Sequence, residues 1–188
     1  MTKRTTVLFS IAMLASMGSA SIAQAQVSNP LKFTVFGGAS LPTGDAKEAI
    51  NTGYTVGGAL DLRAPLSPIG ARGEVTYSGY EAKGLSGTGL SADLKDLGVN
   101  ANAVFWLSSP TPVTPYLTGG PSWSHQTGTI SSGGTSDSDS ENAWGFNVGG
   151  GLQFALGGLG TRLDLRYRRL TKNGESFSVL PITFGLTF

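Results

Sequence analysis

The chain has 188 residues, a formal net charge of +1, 28 glycines and no cysteine. Charged residues make up only 13% of it, about half the roughly 25% of an ordinary soluble domain. Those numbers exclude disulfide frameworks, thiolate zinc sites, iron–sulfur clusters and cysteine nucleophiles, and they leave no basic footprint for nucleic acid.

Residues 1–25 read as a secretory signal peptide. Lys3 and Arg4 form the positive start, Val7 to Met17 the apolar run, and Ala23-Gln24-Ala25 a small-x-small cleavage site. The alternative, a transmembrane helix, is disfavoured because the run is short and softens into Gly18-Ser19-Ala20-Ser21. Cleavage there leaves residues 26–188 as one domain with 11 basic and 12 acidic residues. Nothing in that domain approaches the roughly 18 consecutive apolar residues of a spanning helix.

The remainder is punctuated by glycine and proline and alternates with period two. It reads as strands near 31–41, 53–64, 71–80, 94–108, 115–126, 142–155, 161–171 and 177–188. In the second strand Tyr54, Val56, Leu60 and Leu62 oppose Asp61 and Arg63; in the third Val75 and Tyr77 oppose Arg72 and Glu74. In the sixth Trp144, Phe146, Val148, Leu152 and Phe154 oppose Asn147 and Gln153, and Gly145, Gly149 and Gly151 share the polar side. The seventh is the clearest: Leu163, Leu165 and Tyr167 against Arg162, Asp164, Arg166 and Arg168. Alternate side chains of a strand face opposite sides, so each strand has one apolar and one polar face. Longer connections at 42–52, 81–93 and 127–141 alternate with compact turns, as in an up-and-down meander. Ser131 to Ser140 reads as a solvated loop tip. Pro115 and Pro181 fall inside strands and are expected at a strand start, a bulge or a rim.

Three features favour an apolar face turned to lipid over one turned inward. The polar face is rich in Gly, Ser, Thr and Asn, which suit the narrow lumen of an eight-stranded barrel. Asp61, Arg63, Arg72, Glu74, Arg162, Asp164, Arg166 and Arg168 form a candidate lumen network, five basic and three acidic, whose excess other polar groups must satisfy. The last strand places Leu180, Ile182, Phe184, Leu186 and Phe188 on one face and ends on the aromatic, a form similar to the signal read by the barrel-assembly machinery of bacterial outer membranes.

On these residues, and on Leu31 to Asp45 as an opening strand and first loop, the mature chain resembles the small eight-stranded outer-membrane barrels of the opacity-protein and outer-membrane-protein-X type. The resemblance implies an all-β, antiparallel up-and-down transmembrane β-barrel with both termini in the periplasm and long loops outside the cell. It implies outer-membrane lipid, lipopolysaccharide and the assembly machinery as partners, beside an unknown extracellular partner. A monomer without cofactor or metal is expected. Phe33, Phe105, Trp123, Trp144 and Tyr167 are candidates for interfacial girdles, and Arg169 for a lipopolysaccharide phosphate contact.

Other chemistry is thinly represented. Gly37 to Asp45 lacks the Gly-Lys-Ser/Thr ending of a phosphate loop. His125 is the only histidine. His125-Gln126-Thr127 with Glu141 departs from the His-x-Ser and glutamate of lipid A deacylase barrels. Asp137, Asp139 and Glu141 do not reproduce a calcium loop. The expected role is therefore non-enzymatic, in envelope integrity or surface interaction. The alternatives are a lipid A-modifying barrel using His125 and a soluble periplasmic barrel with Leu163, Leu165, Phe146 and Phe154 around a ligand.

Overall fold

The strand alternation closes into a cylinder. The computed structural model describes residues 30–188 except 65, 85–89, 133–134, 157–158 and 173; the expected leader at 1–25 lies outside the described residues. Eight strands run β1 (Leu31–Thr43), β2 (Gly53–Arg63), β3 (Ile69–Glu81), β4 (Leu90–Trp106), β5 (Thr114–Ser132), β6 (Thr135–Leu156), β7 (Leu159–Lys172) and β8 (Glu175–Thr187). Each pairs antiparallel with its neighbour, and β8 pairs with β1 to close the barrel. Closure gives the wall's backbone donors and acceptors partners without water and removes open edges, the condition for strands in hydrocarbon. At the seam Phe188 and Phe33 exchange backbone hydrogen bonds of 2.7 and 3.1 Å.

Burial is inverted relative to a water-soluble domain. Val56, Leu60, Leu163, Leu165, Phe146 and Phe184 are exposed, whereas Arg72, Arg162, Asp61, Glu74 and Asp164 are buried. The apolar residues thus lie on the outside of the barrel. This arrangement overturns the soluble-barrel alternative: Leu163, Leu165 and Phe146 surround no interior ligand, and Arg162, Arg166 and Arg168 do not face water.

Two segments differ from the sequence expectation. The connection at 127–141 is for the most part a β-ladder, with β5 and β6 remaining paired from Gln126↔Glu141 to Ser132↔Thr135. Thr127–Ser140, Thr129–Ser138 and Ser131–Ser136 side chains are hydrogen-bonded across it at 2.8–3.0 Å. A polar-on-polar alternation gives no hydrophobic period, so this hairpin resembled a loop. Pro181 is at neither a start, a bulge nor a rim. It sits within β8 opposite Ser40, and the β7–β8 ladder lapses at Pro181 itself and at Leu180, resuming in the same register at Arg168↔Val179. The missing donor is absorbed by a local opening of the ladder. Pro115 lies one residue inside the start of β5, as expected.

The connection after β1 folds back over the barrel. Gly44 adopts φ +59° and leads into a single helical turn, α1 (Ala46–Ala49). Asn51 N–H then donates to the Glu81 carbonyl at 2.8 Å and Lys83 N–H to that of Ala49 at 2.9 Å. These bonds carry Ile50 into a buried cluster with Tyr80 and Val179, flanked by Leu94 and Phe177.

Candidate functional site

The lumen is a stack of layers. At the end holding the termini, Val104, Trp106 and Tyr116 form a buried cluster. The Trp106 indole N–H donates to Gln153 Oε1 at 3.0 Å. Arg63 lies over this ring, 4.7 Å from its centroid, and its Nε donates to the Ser67 carbonyl. Arg63 is exposed, which corrects its assignment to the lumen network. It follows the inward parity, but β2 ends there, so its side chain bends over the rim.

The charged layer comes next. Arg72 Nε donates to Asp61 Oδ1 at 2.5 Å, and Arg162 Nη1 to Asp61 Oδ2 at 3.3 Å. Arg162 Nε stands 2.6 Å from Asp164 Oδ2 and its Nη2 3.5 Å from Glu74 Oε1. Arg166 grips Glu74 through both terminal nitrogens and reaches Asp164 Oδ1 at 3.3 Å. Arg72 and Arg162 also lie over the Tyr116 and Phe36 rings, at 4.8 and 5.4 Å.

Farther along, Arg168 Nη1 donates to both oxygens of Asp96, at 3.2 and 3.1 Å. Sequence reasoning missed Asp96. Its signal was present, because Asp96, Asn100 and Asn102 share one parity of β4 while Leu97 and Val99 take the other. With Arg63 outside and Asp96 inside, the buried lumen charges are four arginines and four carboxylates among the described residues. The five-to-three excess read from the sequence disappears. An amide chain extends from the first layer: Asn102 donates to Glu74 Oε2 at 3.0 Å, Asn147 to Asn102 Oδ1 at 2.8 Å and to Ser122 Oγ at 3.0 Å, and Ser122 to Asn100 Oδ1 at 2.6 Å. Alongside Arg166 and Arg168 lies a cavity of about 40 Å³, bordered also by Asn147, Thr76 and Tyr80. The Tyr80 hydroxyl meets that of Ser40 at 2.7 Å, beneath the Ile50–Tyr80–Val179 cap.

His125 faces outward. Its ring stacks on Trp123, and Nδ1 is paired with Asn142 Oδ1 at 2.9 Å. Glu141 takes the opposite, lumen-side parity, where it pairs with Lys172. Thr127 Oγ1 is bonded to Ser140. The three residues weighed as a catalytic group are therefore divided between two faces. Arg169 is on the outside and donates to Ser176 Oγ at 3.0 Å. Trp123 opposes Trp144 across β5 and β6, and Phe146 packs beside Tyr167, forming an aromatic band on that wall. Leu180, Ile182, Phe184, Leu186 and Phe188 share the outer face of β8, all but Leu180 well exposed.

An inverted, closed barrel with a charged core is the architecture of an outer-membrane span, and comparison with known proteins agrees. A family model described as the outer membrane protein beta-barrel domain matches residues 11–188. The chain belongs to this family. It is an outer-membrane protein, and its exposed apolar faces are its lipid-facing surface.

Solved structures share the fold at low identity. Neisserial surface protein A (NspA) matches with a TM-score of 0.61 and 17% identity, covering 85% of this chain and 96% of that one. A major outer membrane protein from Thermus thermophilus matches with a TM-score of 0.63 and 17% identity, covering 85% and 99%. The outer membrane enzyme PagL matches with a TM-score of 0.51 and 14% identity, covering 82% and 97%. No curated protein matches the chain.

Proposed function

We propose that this protein is a non-enzymatic outer-membrane scaffold whose filled barrel presents an extracellular β-hairpin for surface interaction. The observation that carries this reading is the contrast between the two parts of the wall. The lumen is occupied by matched charges and closed by an apolar cap, so it offers no path for a solute. β5 and β6, 19 and 22 residues long, far exceed the roughly 9–11 residues a tilted strand needs to cross the bilayer. The surplus stands beyond the membrane as a rigid ladder, and binding residues on rigid scaffolds are commonly presented this way. Outward aromatics and Arg169 serve as anchors to lipid and lipopolysaccharide.

The separation of His125 from Glu141 argues against lipid A chemistry, which needs a base held by an orienting acid. His125→Ala leaves the mass spectrum of lipid A from expressing cells unchanged in this reading; loss of a modified species would establish the enzymatic alternative.

The test of the scaffold is a chain in which Thr127–Ser140 is replaced by a two-residue turn, expressed in a strain lacking the native protein. Attachment of cells to surfaces should fall, while resistance to detergent and the heat-dependent shift in gel mobility persist. Unchanged attachment with lost detergent resistance would transfer the role to envelope integrity.

A further inference from the structure

The small cavity beside Arg166 and Arg168 collects polar atoms that the rest of the lumen leaves unmatched. Arg168 Nε, Asn147 Oδ1 and Thr76 Oγ1 are buried and have no hydrogen-bond partner among the described residues. The three residues come from β7, β6 and β3, and all of them border this one cavity. Arg168 and Asn147 are only 5% and 3% exposed, so bulk solvent does not make up the deficit. A buried polar group without a partner is costly, and native cores hold few of them. Three around one space call for an occupant.

The backbone keeps that space open. Gly98 follows the inward parity of Asp96 and Asn100 on β4. A Cβ there would stand 2.5 Å from Thr76 Oγ1 and 2.7 Å from Arg168 Nη2, so any side chain at this position would displace one of them. Tyr80 and Val179 of the apolar cap border the cavity toward the mouth. Arg166, held by Glu74, borders it toward the charged layer.

Size and chemistry narrow the occupant. A volume of about 40 Å³ is far below the roughly 300–1,000 Å³ of sites for small organic ligands, whereas one water needs about 10–15 Å³. The unpartnered atoms are of both kinds. Arg168 Nε–H can only donate. Asn147 Oδ1 can only accept, and its orientation is fixed because Nδ2 donates to the Gly120 carbonyl at 3.2 Å and to Asn102 Oδ1 at 2.8 Å. Thr76 Oγ1 does either. An anion would face the Asn147 oxygen, and a cation would face the Arg168 guanidinium. Either would also add an unmatched charge to a lumen whose buried arginines and carboxylates already balance. A small neutral molecule that both donates and accepts serves all three atoms.

We propose that this cavity is a binding site for a cluster of about three ordered waters, which bridge Arg168 Nε, Asn147 Oδ1 and Thr76 Oγ1. The cluster joins the Arg168–Asp96 pair to the chain that runs from Asn147 through Asn102 to Glu74, so the two charged layers become one hydrogen-bonded network. A bridging water is enthalpically close to a direct hydrogen bond, which lets the network tolerate a gap that no side chain fills.

The test is a high-resolution crystal structure of the full barrel in detergent, from crystals grown in a bromide salt and measured at the bromine edge. Discrete density is expected about 2.7–3.2 Å from Arg168 Nε and from Asn147 Oδ1, without anomalous signal. An anomalous peak would make the occupant an anion, and a featureless cavity would make it dry; each overturns the proposal. Urea unfolding of Thr76→Val gives an independent reading, because the substitution exchanges a hydroxyl for a methyl of the same shape. In a dry cavity it removes an unsatisfied group and raises the midpoint, whereas in a hydrated one it takes a partner from the waters and lowers it. A lowered midpoint is expected, with the heat-dependent gel shift retained as proof of folding. A midpoint at or above that of the parent protein would overturn the site.

Discussion

Arg63 and Arg168 have the same inward parity and different fates. Arg168 is buried against Asp96 as its acid, whereas Arg63 lies exposed over Trp106. Removing one partner of a buried pair strands the other charge at a cost of about 3–5 kcal/mol. Asp96→Ala should therefore destabilise the barrel by that amount in urea unfolding followed by tryptophan fluorescence in micelles. Asp96→Leu combined with Arg168→Leu should recover most of the loss, since an apolar pair leaves no unmatched charge. Arg63→Ala should cost about 1 kcal/mol or less, the scale of an exposed cation–π contact. If Asp96→Ala proves as mild as Arg63→Ala, the charged layer does not hold the fold. The same logic inverts on the outer face. Leu165→Arg places a cation toward lipid, for which the expected penalty is about 2–4 kcal/mol near the midplane in the same unfolding measurement.

At the level of elements, β8 closes the barrel. Its outer face carries Ile182, Phe184, Leu186 and Phe188, and the backbone bonds between Phe188 and Phe33 join the two ends of the described barrel. If this face is what the assembly machinery reads, Phe188→Ala should lower the amount of protein reaching the outer membrane of cells. Refolding of the same variant from urea into micelles should proceed nearly unaffected. Equal loss in both experiments would assign Phe188 to stability instead. The eight strands were legible because lipid on one side and a charged lumen on the other impose strict alternation on most of them. The β5–β6 extension was not, because both of its faces meet water and carry Ser, Thr and Asp. Its persistence as a ladder rests on cross-strand pairs such as Thr129–Ser138, which no hydrophobic period announces.

The whole molecule is a closed wall around a neutralised core. In planar bilayers it should show no stepwise ion conductance, and unboiled samples should migrate differently from boiled ones. Opening the cap by Ile50→Ser removes an apolar group from the Ile50–Tyr80–Val179 layer but leaves the charged layer below intact. It should therefore remain non-conducting. Conductance in the parent protein would mean that the charge layers separate readily and that the barrel is a narrow channel.

The sequence by itself determined the strand count, the two-faced character of the wall and most members of the charged layer, because a period of two is a local property of consecutive residues. It also contained the inversion of burial, in the scarcity of charge and the form of the last strand. Tertiary structure alone decided which charges meet. Asp96 finds Arg168 across 72 residues of chain, and Arg63 misses the network by lying at a strand end. Only barrel closure sets those distances, since residues far apart in the chain come together in a lumen just wide enough for their side chains. Closure likewise gathered Thr76, Asn147 and Arg168 from three strands around one small cavity, which none of those segments foretells alone.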